Sequence, residues 1–427
     1  NELENMNKKI CKELISIAFP AMGENLLQML MGMVDSYLVA SLGIVALSGV
    51  SIANNLLAVY QAVFIALAAA VSSQLAHVLG KEKGMQITAI VTDSVKLTVY
   101  VGVFLGILAV ILGPTLLTSL GAEREVAQLG CLYLILVGGS ILLLGLMTCL
   151  GGILRTLGQP RYPMYISLFS NLLNAVFSAI AVFVLHTGVA GVAFGTILSR
   201  IVGCGLLWSR LSISIKPSAW SVDKELVRLA LPAIGERLMM RAGDVVIVGM
   251  ITGLGTAVVA GNAIGETITQ FNYMPTLGIS VATLIMTAKS RQDSLAVQRI
   301  YRIGLGLSLI FMFVIGGISY FAGPLLISLF TMDVQVAQAS QTVLLYSVLG
   351  VPFTAATLVF TGLWQGMGNA RLPFYATGIG MWVVRIGLAY FLIKNFQLGL
   401  PSIWLATIAD NAFRASFLYV RFRYSTG

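Results

Sequence analysis

The feature that most limits what this chain can fold into is that it is written twice. Gly152-Ile153-Leu154-Arg155-Thr156-Leu157-Gly158-Gln159-Pro160-Arg161-Tyr162-Pro163 returns 210 residues later as Gly362-Leu363-Trp364-Gln365-Gly366-Met367-Gly368-Asn369-Ala370-Arg371-Leu372-Pro373. Phe19-Pro20-Ala21-Met22-Gly23-Glu24 returns 212 residues later as Leu231-Pro232-Ala233-Ile234-Gly235-Glu236. Leu42-Gly43 recurs as Leu254-Gly255, Gly113-Pro114 as Gly323-Pro324, and Val126-Ala127-Gln128 as Val336-Ala337-Gln338. Two copies of one pattern make two similar bundles. In a membrane chain such copies are the usual build of a secondary transporter, with the substrate path between them.

Composition places the copies in lipid. The chain is 58% hydrophobic and 10% charged, where a soluble domain carries about 25% charged residues. Twelve apolar stretches, from 15–39 to 403–422, are each long enough to cross ~30 Å of hydrocarbon as a helix. Six spans per copy is an even number, so both copies keep the same orientation, related by an axis along the membrane normal. The expected fold is an all-α membrane protein of twelve transmembrane helices in two six-helix lobes. Residues 1–211 form the N-lobe and 225–427 the C-lobe, with a cytoplasmic linker at 212–224.

The formal charge of +9 does not point to nucleic acid, because of where it lies. One side of the membrane collects Lys8, Lys9, Lys12, Lys81, Lys83, Arg155, Arg161, Arg210, Lys216 and Lys224, then Lys289, Arg291, Arg371, Arg421 and Arg423 from the second copy. The other side holds only Arg124 and Lys394. This asymmetry puts both termini in the cytoplasm, with the protein in the plasma (inner) membrane. The polar start at 1–12 is expected to be no secretory leader. Cys11, Cys131, Cys149 and Cys204 show no metal or redox spacing, and His77 and His186 are the only histidines. No phosphate-binding G-x-x-x-x-G-K-[ST] motif occurs. Together these argue against an enzyme, a zinc site and an ATP-driven motor, and no cofactor beyond a coupling ion is expected.

Polar residues inside spans are expensive and face a cavity or a partner. In span one, Glu24, Gln28 and Asp35 share a helical face, and Pro20 offers a hinge one turn before Glu24. Span five repeats the pattern with neutral oxygens: Ser167, Ser170, Asn171, Asn174 and Ser178. Span six adds Thr196, Ser199 and Arg200, and span four adds Tyr133. A carboxylate ringed by amide and hydroxyl oxygens can hold a proton or Na+. The alternative is that the neutral groups only glue helices together. The second copy is more charged. Arg237, Arg241 and Asp244 share a face of span seven; Asn262, Glu266, Thr269, Gln270 and Tyr273 form a stripe on span eight; Arg385, Asp410 and Arg414 follow. These charges either neutralise one another or leave an acid, Glu266 or Asp244 first, free for a cationic substrate. Asp93 and Lys96, at i and i+3, read as a solvated pair.

These residues resemble the multidrug and toxic compound extrusion (MATE) family of cation-coupled antiporters. The Pro-x-x-x-Glu openings at Pro20 and Pro232 carry the resemblance. So do the Leu-Gly pairs followed by Ser48-Gly49 and Ala260-Gly261, the duplicated stretches above, and Gly188-Val189-Ala190-Gly191 leading to Thr196. It implies two lobes in a V that opens to one side at a time, with the span-one hinge at Pro20. In DinF-like members it implies a cation site at Asp35, Tyr133, Asn174, Ser178 and Thr196. Ser178 stands where that branch has a second carboxylate, so Asp35 is the sole acid there. The NorM-like branch uses an acid in span ten, and this chain has none in 334–361. The resemblance therefore favours the DinF-like side.

The expected function is export of organic, cationic and amphiphilic compounds in exchange for H+, with Na+ at Asp35 and Asn174 as the alternative coupling ion. Glu24, Gln28, Asp244, Glu266, Gln270 and Tyr273 are the candidate cavity residues. Partners are small-molecule substrates and the lipid bilayer, with the chain a monomer. The rival reading is a flippase for lipid-linked precursors. Its phosphate site would need more basic residues than Arg155 and Arg200 supply in the N-lobe.

Overall fold

The computed structural model describes residues 1–81, 84–213, 215 and 219–426; Lys83 and Lys216, named above, lie outside the described residues. Every regular element among the described residues is a helix. The first copy contains α1 (Glu2–Ala40), α2 (Ile44–Gly80), α3 (Gly84–Ser119), α4 (Arg124–Tyr133), α5 (Leu142–Thr156), α6 (Arg161–Ala179) and α7 (Gly188–Arg210). The second contains α8 (Lys224–Thr252), α9 (Thr256–Lys289), α10 (Ser294–Phe321), α11 (Gly323–Ser328), α12 (Val334–Leu349), α13 (Val351–Gly366), α14 (Arg371–Thr377), α15 (Ile386–Phe396) and α16 (Leu400–Thr426). Wider π turns at Leu134–Gly138, Ile180–Val184 and Gly378–Arg385 extend α4 and α6 and join α14 to α15.

The twelve expected spans map onto these helices. Spans four and ten are broken, bending by 44° between α4 with its π turn and α5, and by 58° between α12 and α13. Each break has a local cause. Gly138-Gly139-Ser140 loosens the first. Pro352, in the first turn of α13, cannot donate a backbone hydrogen bond across the second. Counting each bent pair once, nine spans pass a length-and-apolarity test. The other three, α8, α9 and α16, carry most of the second copy's charged side chains.

The duplication is visible in the backbone. Gly43 and Gly255 open α2 and α9 at φ 112° and 116°; Gly158 and Gly368 turn at 91° and 87°; Gly188 begins α7 and Gly399 precedes α16, at 69° and 71°. His186 and Gln397 hold the left-handed conformation at the same place in each copy, both at φ 50°. A Cβ on Gly49 would lie 2.7 Å from the Val126 carbonyl, and one on Gly261 would lie 2.6 Å from the Val336 carbonyl. Only glycine admits the approach of α4 to α2, or of α12 to α9. The offset between copies is 210 at Gly158/Gly368 and 211 at Gly188/Gly399. The extra residue lies between these pairs, in the stretch that holds a π turn in each copy, Ile180–Val184 in the first and Gly378–Arg385 in the second.

Contacts divide the chain into two units: Gly23–Ala230, and Asn1–Met22 with Leu231–Gly427. This division does not fall in the linker at 212–224. It falls inside α1 and α8, next to Pro20 and Pro232. The start of α1 belongs to the second-copy unit, where Gly278 of α9 has the Ala18 carbonyl and Met22 side chain against it. The start of α8 belongs to the first-copy unit, where Leu226 is buried with Val71, Val91, Leu150 and Leu154. The second-copy core gathers Val343, Met381, Ile403 and Trp404.

The linker is held to α3. Lys96 Nζ donates to the carbonyls of Ala219 (2.8 Å) and Ser221 (2.9 Å), and the Tyr100 hydroxyl donates to that of Trp220 (2.9 Å). The Trp220 ring stacks on Tyr100 with centroids 6.5 Å apart, and Asp93 Oδ2 accepts the Asp223 amide at 3.1 Å. Asp93 and Lys96 do form an ion pair, at 3.1 Å. They are not merely a solvated pair, because both also fasten backbone that neighbours α8.

Candidate functional site

In the first-copy unit the second half of α1 carries Asp35 to α6. Asn174 Nδ2 donates to Asp35 Oδ2 at 3.3 Å. Asn174 Oδ1 in turn accepts from Ser178 Oγ at 3.2 Å and from Thr196 Oγ1 at 3.3 Å. Asn174 and Ser178 lie one turn apart on α6, and Thr196 reaches them from α7; all three are buried. Buried Tyr133 ends α4 where the π turn begins, and it neighbours Thr196 and Asp35. All five residues named from the sequence therefore converge.

One residue of the cluster was weighed in the sequence reading only as a basic residue for the flippase alternative and not as part of the cation site. Arg200 follows Thr196 by one turn on α7, and its charge acts on both Asp35 and Tyr133. Among the described residues, Arg200 Nη1 and Asp35 Oδ1 are both buried without a hydrogen-bond partner. The signal was present in the spacing, since a residue four after Thr196 must share its helical face.

The rest of the α1 stripe is engaged differently. Glu24 Oε2 takes Arg155 Nη1 at 2.6 Å in a part-buried ion pair, and Gln28 Oε1 accepts from Gln61 Nε2 at 3.4 Å. Of the two acids on this face, Glu24 has a cation in contact and Asp35 does not.

In the second-copy unit the charges sort into pairs and a remainder. Asp410 is fully buried. It receives Arg414 through Nε and Nη2, each at 2.8 Å, and Arg385 Nε lies 2.8 Å from its Oδ2. Gly380, in the π turn, makes the room: a Cβ there would collide with Asp410 Oδ1 and Arg414. Glu236 accepts from Thr377 at 3.0 Å and lies 3.6 Å from Arg237. Asp244 lies in the field of Arg385, Arg241 and Arg414, offsetting the extra positive charge around Asp410. Glu266 is exposed; its charged neighbour is Asp244, and Asn262 stands beside it. Among the described residues it makes no ion pair. Gln270 is also exposed. Tyr273 is tied to α12, its hydroxyl 3.4 Å from Ser347 Oγ, which also accepts from Asn272 at 3.2 Å.

Chemically, then, the first copy offers a buried carboxylate with one unfilled oxygen. The second offers Asp410 neutralised by two arginines and, in Glu266, an acid that makes no ion pair among the described residues.

The family model MatE matches residues 20–180 and again 232–391. A "Probable multidrug resistance protein NorM" of Thermotoga maritima is 31% identical over 422 residues, spanning 96% of this chain and 91% of that protein. The outward-facing structure of a multidrug resistance MATE transporter of the MOP superfamily superposes with a TM-score of 0.90 at 22% identity, over 98% of this chain and 96% of that one. A MOP superfamily transporter from Pyrococcus furiosus gives 0.89 at 21% identity, over 97% and 96%. The two structures speak for the fold, and the doubled MatE match with the T. maritima relative speaks for kinship: this chain belongs to the MatE family of membrane transporters, and it is not an enzyme.

Proposed function

We propose that this transporter exports amphiphilic organic cations across the plasma membrane in exchange for protons, by alternating access, as a monomer with both termini in the cytoplasm. The observation that carries the proposal is the unfilled Oδ1 of Asp35 beside the hydrogen-bonded Asn174, Ser178 and Thr196. A proton needs one oxygen. A hard cation such as Na+ needs several, and Asn174 Oδ1 is already taken by Ser178 and Thr196.

The ionised carboxylate accepts from the Asn174 amide. The protonated acid becomes a donor itself, so loading Asp35 rearranges the hydrogen bonds from α1 through α6 to α7. Pro20 is the hinge by which α1 follows, and the change of packing unit next to it supports that role. The lack of an acid in α12 and α13 supports the DinF-like side. Glu266 is the counter-charge for a cationic substrate. The name of the T. maritima relative supports the drug class.

The test is efflux of a fluorescent cation from proteoliposomes under an imposed pH or Na+ gradient. A pH gradient drives the wild type, and Asp35→Asn lowers that rate by about tenfold or more, since positioned proton transfer is commonly worth that much or more. Unchanged efflux in Asp35→Asn overturns the coupling role, and drive by Na+ alone overturns the choice of ion.

A further inference from the structure

We propose that Arg200 sets the ion selectivity of the Asp35 cluster, standing there as a built-in cation that bars Na+ and leaves room only for a proton. The proposal deepens the proton-coupled reading and rests on it. Its geometry has three parts. Arg200 shares the face of α7 with Thr196, whose hydroxyl binds Asn174. Its charge acts on Asp35 and Tyr133, two of the oxygens a metal ion would need. Its Nη1 is buried, without a partner among the described residues, in the same unit as the unfilled Oδ1 of Asp35.

Na+ at Asp35 would keep its charge beside a guanidinium. Juxtaposed like charges suppress binding. A proton joins covalently to a single carboxylate oxygen and needs no ring of ligands. The other titratable group facing Arg200 is Cys204. Its thiol is directed to the Leu143 carbonyl at 3.2 Å, so it does not complete a cation site.

The experiment is equilibrium binding of radioactive Na+ to the purified full chain in detergent. It compares wild type, Arg200→Gln, Arg200→Met, Arg200→Lys and Arg200→Gln/Asp35→Asn, each checked for an unchanged melting profile. Wild type and Arg200→Lys are expected to show no saturable binding. Arg200→Gln gains a site at least about tenfold tighter than any wild-type binding, and the added Asp35→Asn abolishes it. Arg200→Met, which keeps the apolar volume of the side chain, serves if the glutamine variant does not fold. Equal, weak binding by wild type and both neutral variants overturns the role of Arg200 and leaves proton coupling standing. Na+ binding that survives Asp35→Asn places the ion elsewhere and also overturns it. Saturable, Asp35-dependent binding by the wild type overturns the proton reading itself.

Discussion

On α7, eight, eleven and twelve residues after Gly188, stand Thr196, Ser199 and Arg200; on α16, at the same distances from Gly399, stand Thr407, Asp410 and Asn411. One scaffold therefore carries two charge designs. In the second copy the acid lies on α16, and two arginines close on it at 2.8 Å each. In the first copy the acid comes from α1, its hydrogen-bond partner among the described residues is a neutral amide at 3.3 Å, and the arginine makes no ion pair with it. A carboxylate saturated by guanidiniums is locked into one state and ties helices together. A carboxylate with an open oxygen can change state. Duplication fixed the bundle, and the two copies then put charge to different uses.

The sharpest break in this comparison is Asp410→Ala against Asp35→Ala. Removing Asp410 strands two buried guanidiniums, and breaking such a pair costs about 3–5 kcal/mol. Asp410→Ala is expected to lower the melting temperature in detergent strongly, while Asp35→Ala melts close to wild type and loses pH-driven efflux. Equal melting of the two variants would remove the distinction. Exchange of the roles, with Asp35→Ala the unstable one, would reverse it.

A smaller effect separates substrate binding from coupling. Glu266 has no cation in contact, so Glu266→Gln should raise the KM for cationic substrates by roughly tenfold, about 1.4 kcal/mol, and leave neutral substrates and the melting profile alone. An equal effect on neutral substrates would move Glu266 from the substrate to the packing. The same substitution at Glu236, held by Thr377 and Arg237, is expected to act on stability and not on the choice of substrate.

The symmetry has its own test in the shared close contacts. Gly49→Ala and Gly261→Ala each push a methyl into a facing carbonyl, and overpacking of this kind costs typically about 1–3 kcal/mol. The two losses should agree within measurement and should add in the double variant, because the sites lie in separate units. A large loss at one and none at the other would mean that the copies diverged in packing as well as in charge.

How far the sequence could be read follows from what sets each feature. The repeat announced the two bundles because paired glycines and prolines occupy backbone positions that few other residues tolerate. The five-residue cluster was legible through the resemblance to the MATE family; spacing alone put Asn174 and Ser178 on one face of span five, and Asp35 stood out as a carboxylate in an apolar span. Pairings across long separations were not legible. Nothing in the spacing tells that Arg155 meets Glu24 or that Arg385 joins Arg414 on Asp410, since any acid in reach could have served. The unit boundary next to Pro20 was hidden for a related reason: which bundle a half-helix packs on is a tertiary choice, made here by contacts such as Gly278 with Ala18.

The smallest expected effect concerns the linker. In the first-copy unit, Lys96, Tyr100 and Asp93 gather the backbone of residues 219–223, so the chain enters α8 from a fixed point on α3. Lys96→Met keeps most of the side chain's apolar stem and removes the donors to Ala219 and Ser221. A net loss of about 1 kcal/mol is expected, because a hydrogen bond at a part-exposed site is largely replaced by water. Melting will barely register this. Hydrogen exchange will: the Asp223 amide, which donates to Asp93, should exchange several-fold faster, roughly fivefold for 1 kcal/mol, while amides in the middle of α3 hold their rate. Unchanged exchange at Asp223 would show that the Tyr100–Trp220 stack alone anchors the linker. Faster exchange throughout α3 would show that the clamp supports the helix and not the linker.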